Sequence, residues 1–476
     1  MKCKIKTETV QTTNSRICSL SPRMTDFHSG VSVCTPSRAT LLTGRLGLRT
    51  GVVKNFIPSS LGGIPTNETT IPEILREAGY RTAMLGKWHL GTTAGHHPID
   101  KGFTSYLGVP YSLDMGCADI PGANLPQCRP CQHNNSVMHE CVADVSCPYQ
   151  NIALPLYANK TIKHQPVDMT GLATQYAAFA RNFILESSDS PFFLYAALSH
   201  IHVPLAHAAR FNKVTGRGVF ADTLYEMDWL VGEILEAAKT AGNNTLVWFM
   251  SDNGPWEVKC QLAGSPGPYT GFWQRIAGGG GSASKTTVWE AGHRVPSIVH
   301  WQGRIKAGSV STALVSALDV LPTLVSLTNA TLPLHRHLDG MDVSGILTGS
   351  SQKAHQVLFH PNCDAGPDGE IGAVRIGKYK AVLYTGGVPD CSGTIGPLVH
   401  HTSPLIFNLA LDPSESSPLH PEQKQYQDVL RVTSQALADL LQDIRGDNTS
   451  TVDYSTSSDA RPCCDENSAI CRCTWD

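Results

Sequence analysis

Thr245-Leu246-Val247-Trp248-Phe249-Met250-Ser251-Asp252-Asn253-Gly254 is a short apolar run that breaks into a polar turn. A stretch this brief, with β-branched and aromatic side chains on both faces, reads as a buried-type strand, and Ser-Asp-Asn-Gly is good turn chemistry at its end. Just before it, Leu224, Met227, Val231, Ile234, Leu235 and Ala238 fall on one helical stripe. The same arrangement occurs twice upstream. Tyr80 to Leu85 runs into Gly86-Lys87-Trp88-His89, and Phe192 to Leu198 runs into Ser199-His200-Ile201-His202. Thr70 and Glu73 form a capping-box pair in front of Ile74, Leu75 and Ala78, with Gly79 placed to end that helix. Three strands that carry ionisable or metal-binding groups at their C-terminal ends, set between helices, predict an α/β fold. Its central sheet is largely parallel, flanked by helices, and its site lies at the sheet edge.

Beyond about residue 350 the pattern changes to hairpins. Ala373 to Ile376 and Tyr379 to Tyr384 join around Gly377, Leu405 to Leu409 follows, and a long amphipathic helix spans Gln425 to Ile444. The reading is a catalytic domain over residues 25–350 and a smaller α+β domain with an antiparallel sheet over 351–476, closed by a cysteine-rich tail. Residues 1–24 show no clear period and read as an atypical, loosely ordered leader.

With 476 residues and a net charge of -3, the chain has ample material for a core and no electrostatic reason to expect a nucleic-acid partner. Fifteen cysteines are many for a reduced compartment. They cluster as Cys117, Cys128, Cys131, Cys141 and Cys147, and as Cys463, Cys464, Cys471 and Cys473. Disulfides are expected there, with zinc binding the competing reading. Sequons at Asn67, Asn134, Asn159, Asn243, Asn329 and Asn448 agree with the secretory pathway. Met1-Lys2-Cys3-Lys4-Ile5-Lys6 has no signal-peptide core, and no segment is apolar enough to span a membrane. The expectation is a chain without its natural beginning.

Cys34-Thr35-Pro36-Ser37-Arg38-Ala39-Thr40-Leu41-Leu42-Thr43-Gly44-Arg45 places a cysteine, a proline and an arginine at offsets of two and four ahead of a helix whose positive end would lie at Cys34. This stretch resembles the signature in which sulfatases convert a cysteine to formylglycine. The segments Gly86-Lys87-Trp88-His89-Leu90-Gly91, Ser251-Asp252-Asn253-Gly254-Pro255 and Lys285-Thr286-Thr287-Val288-Trp289-Glu290-Ala291-Gly292 resemble the same family, in its arylsulfatase A group. The resemblance implies the alkaline-phosphatase-like sulfatase fold and hydrolysis of sulfate esters, on aryl sulfates or on sulfated glycosaminoglycan sugars such as heparan sulfate. It implies Cys34 as nucleophile once converted, with Arg38 and Lys87 steadying the alkoxide and sulfate. His89 would help expel sulfate, and His202 and Lys285 would grip it, one of them protonating the departing alcohol. Ser112 is a further sulfate contact. The bland reading of these histidines is satisfied core residues, and of these lysines solvated charge.

Asp252 and Asn253, with the modified Cys34, offer oxygen ligands suited to calcium rather than zinc. The family normally adds two aspartates from an early strand, and nothing before Cys34 matches them; Asp26 and Glu8 are the acidic residues upstream. The formylglycine-generating enzyme is the implied partner, and lysosome or secretory pathway the implied location. Oligomeric state is open. A phosphatase of the same superfamily is disfavoured by Cys34, Pro36 and Arg38. The remaining alternative is a truncated homologue that at most binds sulfated glycans.

Overall fold

The computed structural model describes residues 23–118, 152–242, 244–332, 336–466 and 471–474. They form two compact units.

One unit takes its described residues from 23–55 and 246–451. Its first sheet has the order Val310–Ser311, Arg23–Met24, Ser297–Trp301, Leu246–Met250. Arg23–Met24 runs parallel to Val310–Ser311, and the other two pairings are antiparallel. Arg23 and Met24 were grouped with the leader on sequence; here they form a strand, and Met24 is buried with Phe27, Val299 and Val315. The strand Leu246–Met250 departs from its buried-type reading, because all five residues are half-buried. Among the described residues it is an edge strand with Ser297–Trp301 its one neighbour in the sheet.

Helix Cys34–Thr43 is buried on nearly all sides, polar residues included, and ends at Gly44, whose N–H bonds back to Thr40 O. The antiparallel sheet of this unit is a meander of Val357–Pro361, Ile371–Ile376, Tyr379–Thr385 and Val399–Asn408. Helix Lys424–Gly446 covers it by burying Tyr426 and Val429 against Ala381 and Ile406. A Cys260–Cys391 disulfide clips two loops 131 residues apart.

The other unit takes its described residues from 56–245 and 452–474. Its sheet has the order Cys473–Thr474, Thr161–Gln165, Leu156–Ala158, Ser105–Gly108, Arg81–Gly86, Phe192–Ala197. Parallel pairing is confined to Arg81–Gly86 with its two neighbours, and the rest is antiparallel. Helices Leu172–Glu186 and Val219–Thr240 pack on one another, and Tyr176 and Leu230 share a core with Leu85 and Val109. The capping box forms: Thr70 N–H donates to Glu73 Oε2 at 2.8 Å and caps Ile71–Glu77.

In the tail, Cys463–Cys471 and Cys464–Cys473 are disulfides, which removes the zinc reading there. Cys117 is also disulfide-bonded, whereas Cys128, Cys131, Cys141 and Cys147 lie outside the described residues. The sequon residues Asn67, Asn159, Asn329 and Asn448 are exposed, and Asn134 and Asn243 lie outside the described residues, as does most of the 1–24 leader. Among the described residues no helix is long and apolar enough to cross a membrane.

Candidate active site

Cys34 occupies the first turn of its helix and is 2% exposed. It is not in a disulfide. Lys285 Nζ donates to its Sγ at 3.4 Å, and the same ammonium stands 4.8 Å from the centroid of the Trp256 ring. A thiol in this place meets two sources of positive potential, the helix start and a buried ammonium. The turn is held from outside the helix by Asn55 Oδ1, which accepts Thr35 N–H at 2.9 Å.

One helical turn on, Arg38 directs Nε and Nη2 at the single oxygen Asp252 Oδ2, at 3.0 and 2.8 Å. Ser37 Oγ donates to the Asp252 carbonyl at 2.5 Å. The helix start and the Ser251-Asp252-Asn253-Gly254 turn are thus joined by a charge-assisted pair and a neutral bond. Gly254 lets the turn dock: its N–H donates to Gly292 O at 2.9 Å, and a Cβ there would stand 1.8 Å from Ala291 O.

Asn253 Nδ2 donates to Gly254 O at 2.8 Å, while its Oδ1 is buried with no hydrogen-bond partner. An amide oxygen oriented this way suits a hard cation. Asp252 suits it only in part, since Oδ2 already accepts two guanidinium N–H groups. No group of three His, Cys, Asp or Glu ligand atoms among the described residues includes Asp252. Asp26, the acidic residue upstream, is engaged with Arg375 Nη2 at 2.8 Å and His28 Nε2 at 3.0 Å.

The second unit holds another cluster. Gly86, at φ 95°, ends the strand Arg81–Gly86, and Lys87 follows with its N–H on Ala197 O. Lys87 Nζ, 2% exposed, donates to Ser112 Oγ at 3.2 Å, and that hydroxyl lies 3.4 Å from His202 Nε2. His202 Nδ1 is 2.6 Å from Val203 O, so it carries the ring proton and leaves Nε2 as acceptor for Ser112 O–H. Its neighbour His200 is bound to Glu226 Oε2 at 2.9 Å. His89, at φ 62°, places Nε2 2.9 Å from Phe56 O and lines a small crevice with Phe56, Pro110 and Tyr111.

The sequence-selected residues therefore fall into two sets. Cys34, Arg38, Asp252, Asn253 and Lys285 form one, Lys87, Ser112 and His202 form the other, and His89 lies in the unit of the second set with its Nε2 at Phe56 O. Asn55, Trp256 and Ser37 were missed, because an Asn in a loop, a Trp in a loop and a Ser within a signature carry no spacing that names a partner.

Residues 6–330 match the family described as Sulfatase, and residues 353–473 match the C-terminal region of aryl-sulfatase. The chain is 49% identical over 473 residues to arylsulfatase G of Rattus norvegicus, covering 98% of this chain and 89% of that protein. It is 38% identical over 411 residues to human arylsulfatase A, covering 83% and 75%. Among solved structures, the PsFucS1 sulfatase from Pseudoalteromonas sp. superposes with a TM-score of 0.77 at 23% identity, over 92% of this chain and 86% of that one, a likeness of fold. On these matches the chain belongs to the sulfatase family, among the arylsulfatase-type sulfuric ester hydrolases.

Proposed function

We propose that this sulfatase cleaves sulfate esters on glycosaminoglycan sugars, with Cys34 converted to formylglycine and a calcium ion bound at Asp252 and Asn253. The single observation that carries the reading is Lys285 Nζ at 3.4 Å from Cys34 Sγ, a buried cation aimed at the atom to be replaced by oxygen. Once Cys34 is converted, its hydrate supplies two hydroxyls on one carbon, one to attack sulfur and one to release it. A bound calcium ion would supply positive charge for the sulfate oxygens, and Asn253 Oδ1 with Asp252 Oδ1 would hold it.

The chain's own residues supply the rest. Lys285 holds positive charge against position 34 in a site closed to water, where that charge is worth far more than in solvent. Arg38 is oriented by Asp252, and the pair fixes the turn that bears Asn253. In the other cluster, Lys87 donates to Ser112 and Ser112 to His202 Nε2, so a proton added at Nε2 turns that imidazole into an acid for a departing alcohol. His89 is assigned the release of sulfate by resemblance, and passage through the lysosomal or secretory route, with glycans at the exposed sequons, follows from the same likeness.

The test is the mass of the Cys34 peptide from protein secreted by cells that contain the formylglycine-generating enzyme, paired with hydrolysis of an aryl sulfate. The expected result is a lighter, aldehyde-bearing peptide and turnover that Cys34→Ala abolishes. Unconverted cysteine throughout, or equal rates from Cys34→Ala, would overturn the mechanism and leave a homologue that binds sulfated glycans without cleaving them.

A further inference from the structure

Within the Cys34 unit, three imidazoles lie together away from the nucleophile. His28, His293 and His360 are each 0% exposed. The His293 and His360 ring centroids are 4.3 Å apart, and those of His28 and His360 5.1 Å. Both ring nitrogens of His293, both of His360 and Nδ1 of His28 have no hydrogen-bond partner. Five orphaned, fully buried ring nitrogens are costly, since each forgoes its hydrogen bond to water and gains none in return.

One ring is already prepared as metal ligands usually are. His28 Nε2 is held at 3.0 Å by Asp26 Oδ1, which leaves Nδ1 as the outward atom; Asp26 is in turn bonded to Arg375. A carboxylate behind a histidine fixes its orientation and raises its basicity towards a cation. His28, His360 and the fully buried Glu290 each present one ligand atom, all within 4.8 Å of one another; the Glu290 carboxylate is shared with Lys380, Arg375 and Arg294, so the imidazoles are the main donors. A tetrahedral zinc site with ~2.0–2.1 Å bonds needs ligand atoms roughly 3.4 Å apart, so the donors would draw together on binding.

We propose that His28, His360 and Glu290, with His293 as the adjacent fourth imidazole, form a structural site for a divalent transition metal of zinc type. The donors are nitrogen-rich and closed to water, in contrast to the oxygen donors of Asp252 and Asn253. The charges facing the cluster are Asp26, Glu290 and Glu415 against Arg294, Arg375 and Lys380. A site so enclosed is loaded as the chain folds.

The test measures zinc by elemental analysis in the full-length secreted protein, then loads Co2+ alone as a spectroscopic probe. One zinc per chain is expected, with visible Co2+ bands of a low-coordinate site and no near-ultraviolet thiolate band. His360→Gln and His28→Gln should each lower metal affinity at least about tenfold, and Asp26→Asn about 10- to 100-fold. Should those variants fail to fold, the wild-type stoichiometry and Co2+ spectrum decide alone. Absence of stoichiometric zinc and cobalt, a thiolate band, or full retention of metal in folded His360→Gln would overturn the proposal.

Discussion

Around Cys34, Lys285 faces a sulfur at 3.4 Å and Arg38 is paired with one carboxylate, Asp252, whose side chain is 28% exposed. Around Glu290, Lys380 meets Glu290 at 3.1 Å and Glu415 at 2.9 Å, while Arg375 meets Asp26 at 2.8 Å and Glu290 at 3.3 Å, with Lys380, Glu290 and Glu415 fully sealed. Both clusters bury cations in the same unit, yet the second answers each cation with carboxylates and the first aims one at a thiol. Buried charge that is closed on itself holds a fold in one arrangement, and buried charge aimed at a neutral atom is disposed to act on what that atom becomes.

The contrast breaks if the two clusters respond alike to substitution. The largest effect is expected at Cys34→Ala, which should abolish aryl sulfate turnover while leaving the melting temperature unchanged. Lys380→Met removes the cation paired with Glu415 and one of the three on Glu290, and should cost about 3–5 kcal/mol in urea unfolding, with the folded fraction keeping its kcat. Lys285→Ala should lower kcat by about 10²- to 10³-fold with little change in stability. If it instead destabilises as Lys380→Met does, the ammonium at Cys34 is structural.

A sealed group in the other unit sharpens the point through pH. His97 is 6% exposed, and burial pushes its pKa from 6.5 to about 4. The unfolded chain therefore binds the proton first as pH falls, and up to about 3 kcal/mol of stability should be lost between pH 6.5 and 4. His97→Gln should flatten that part of a melting-temperature profile. The smallest effect is expected at Ser112→Ala, about tenfold in kcat, because the Lys87 ammonium loses one hydroxyl acceptor and His202 one neutral hydrogen bond.

The sequence held most of the surroundings of Cys34, since Cys34, Arg38, Asp252 and Lys285 each lie in a short motif whose residue types state their chemistry. Helix starts and strand runs were equally legible, because caps and apolar periods are local. The sealed network was not. Arg375 and Asp26 are 349 residues apart, and a lone Lys380 on a strand reads as solvent-facing until its partners are known. The half-burial of Leu246–Met250 was missed for the same reason: composition reports how apolar a strand is and says nothing of how many neighbours it has. Nor could hairpin signals reveal that the meander after residue 350 joins residues 23–55 in one compact unit.

The Gly254 contact has a consequence for how this protein can vary. A methyl at 254 would stand 1.8 Å from Ala291 O, and one at 292 would stand 2.6 Å from both Ser284 O and Thr287 O. In a saturation library scored only for secretion, both positions should reject even alanine, marking the weld between two distant signature segments without any assay of catalysis.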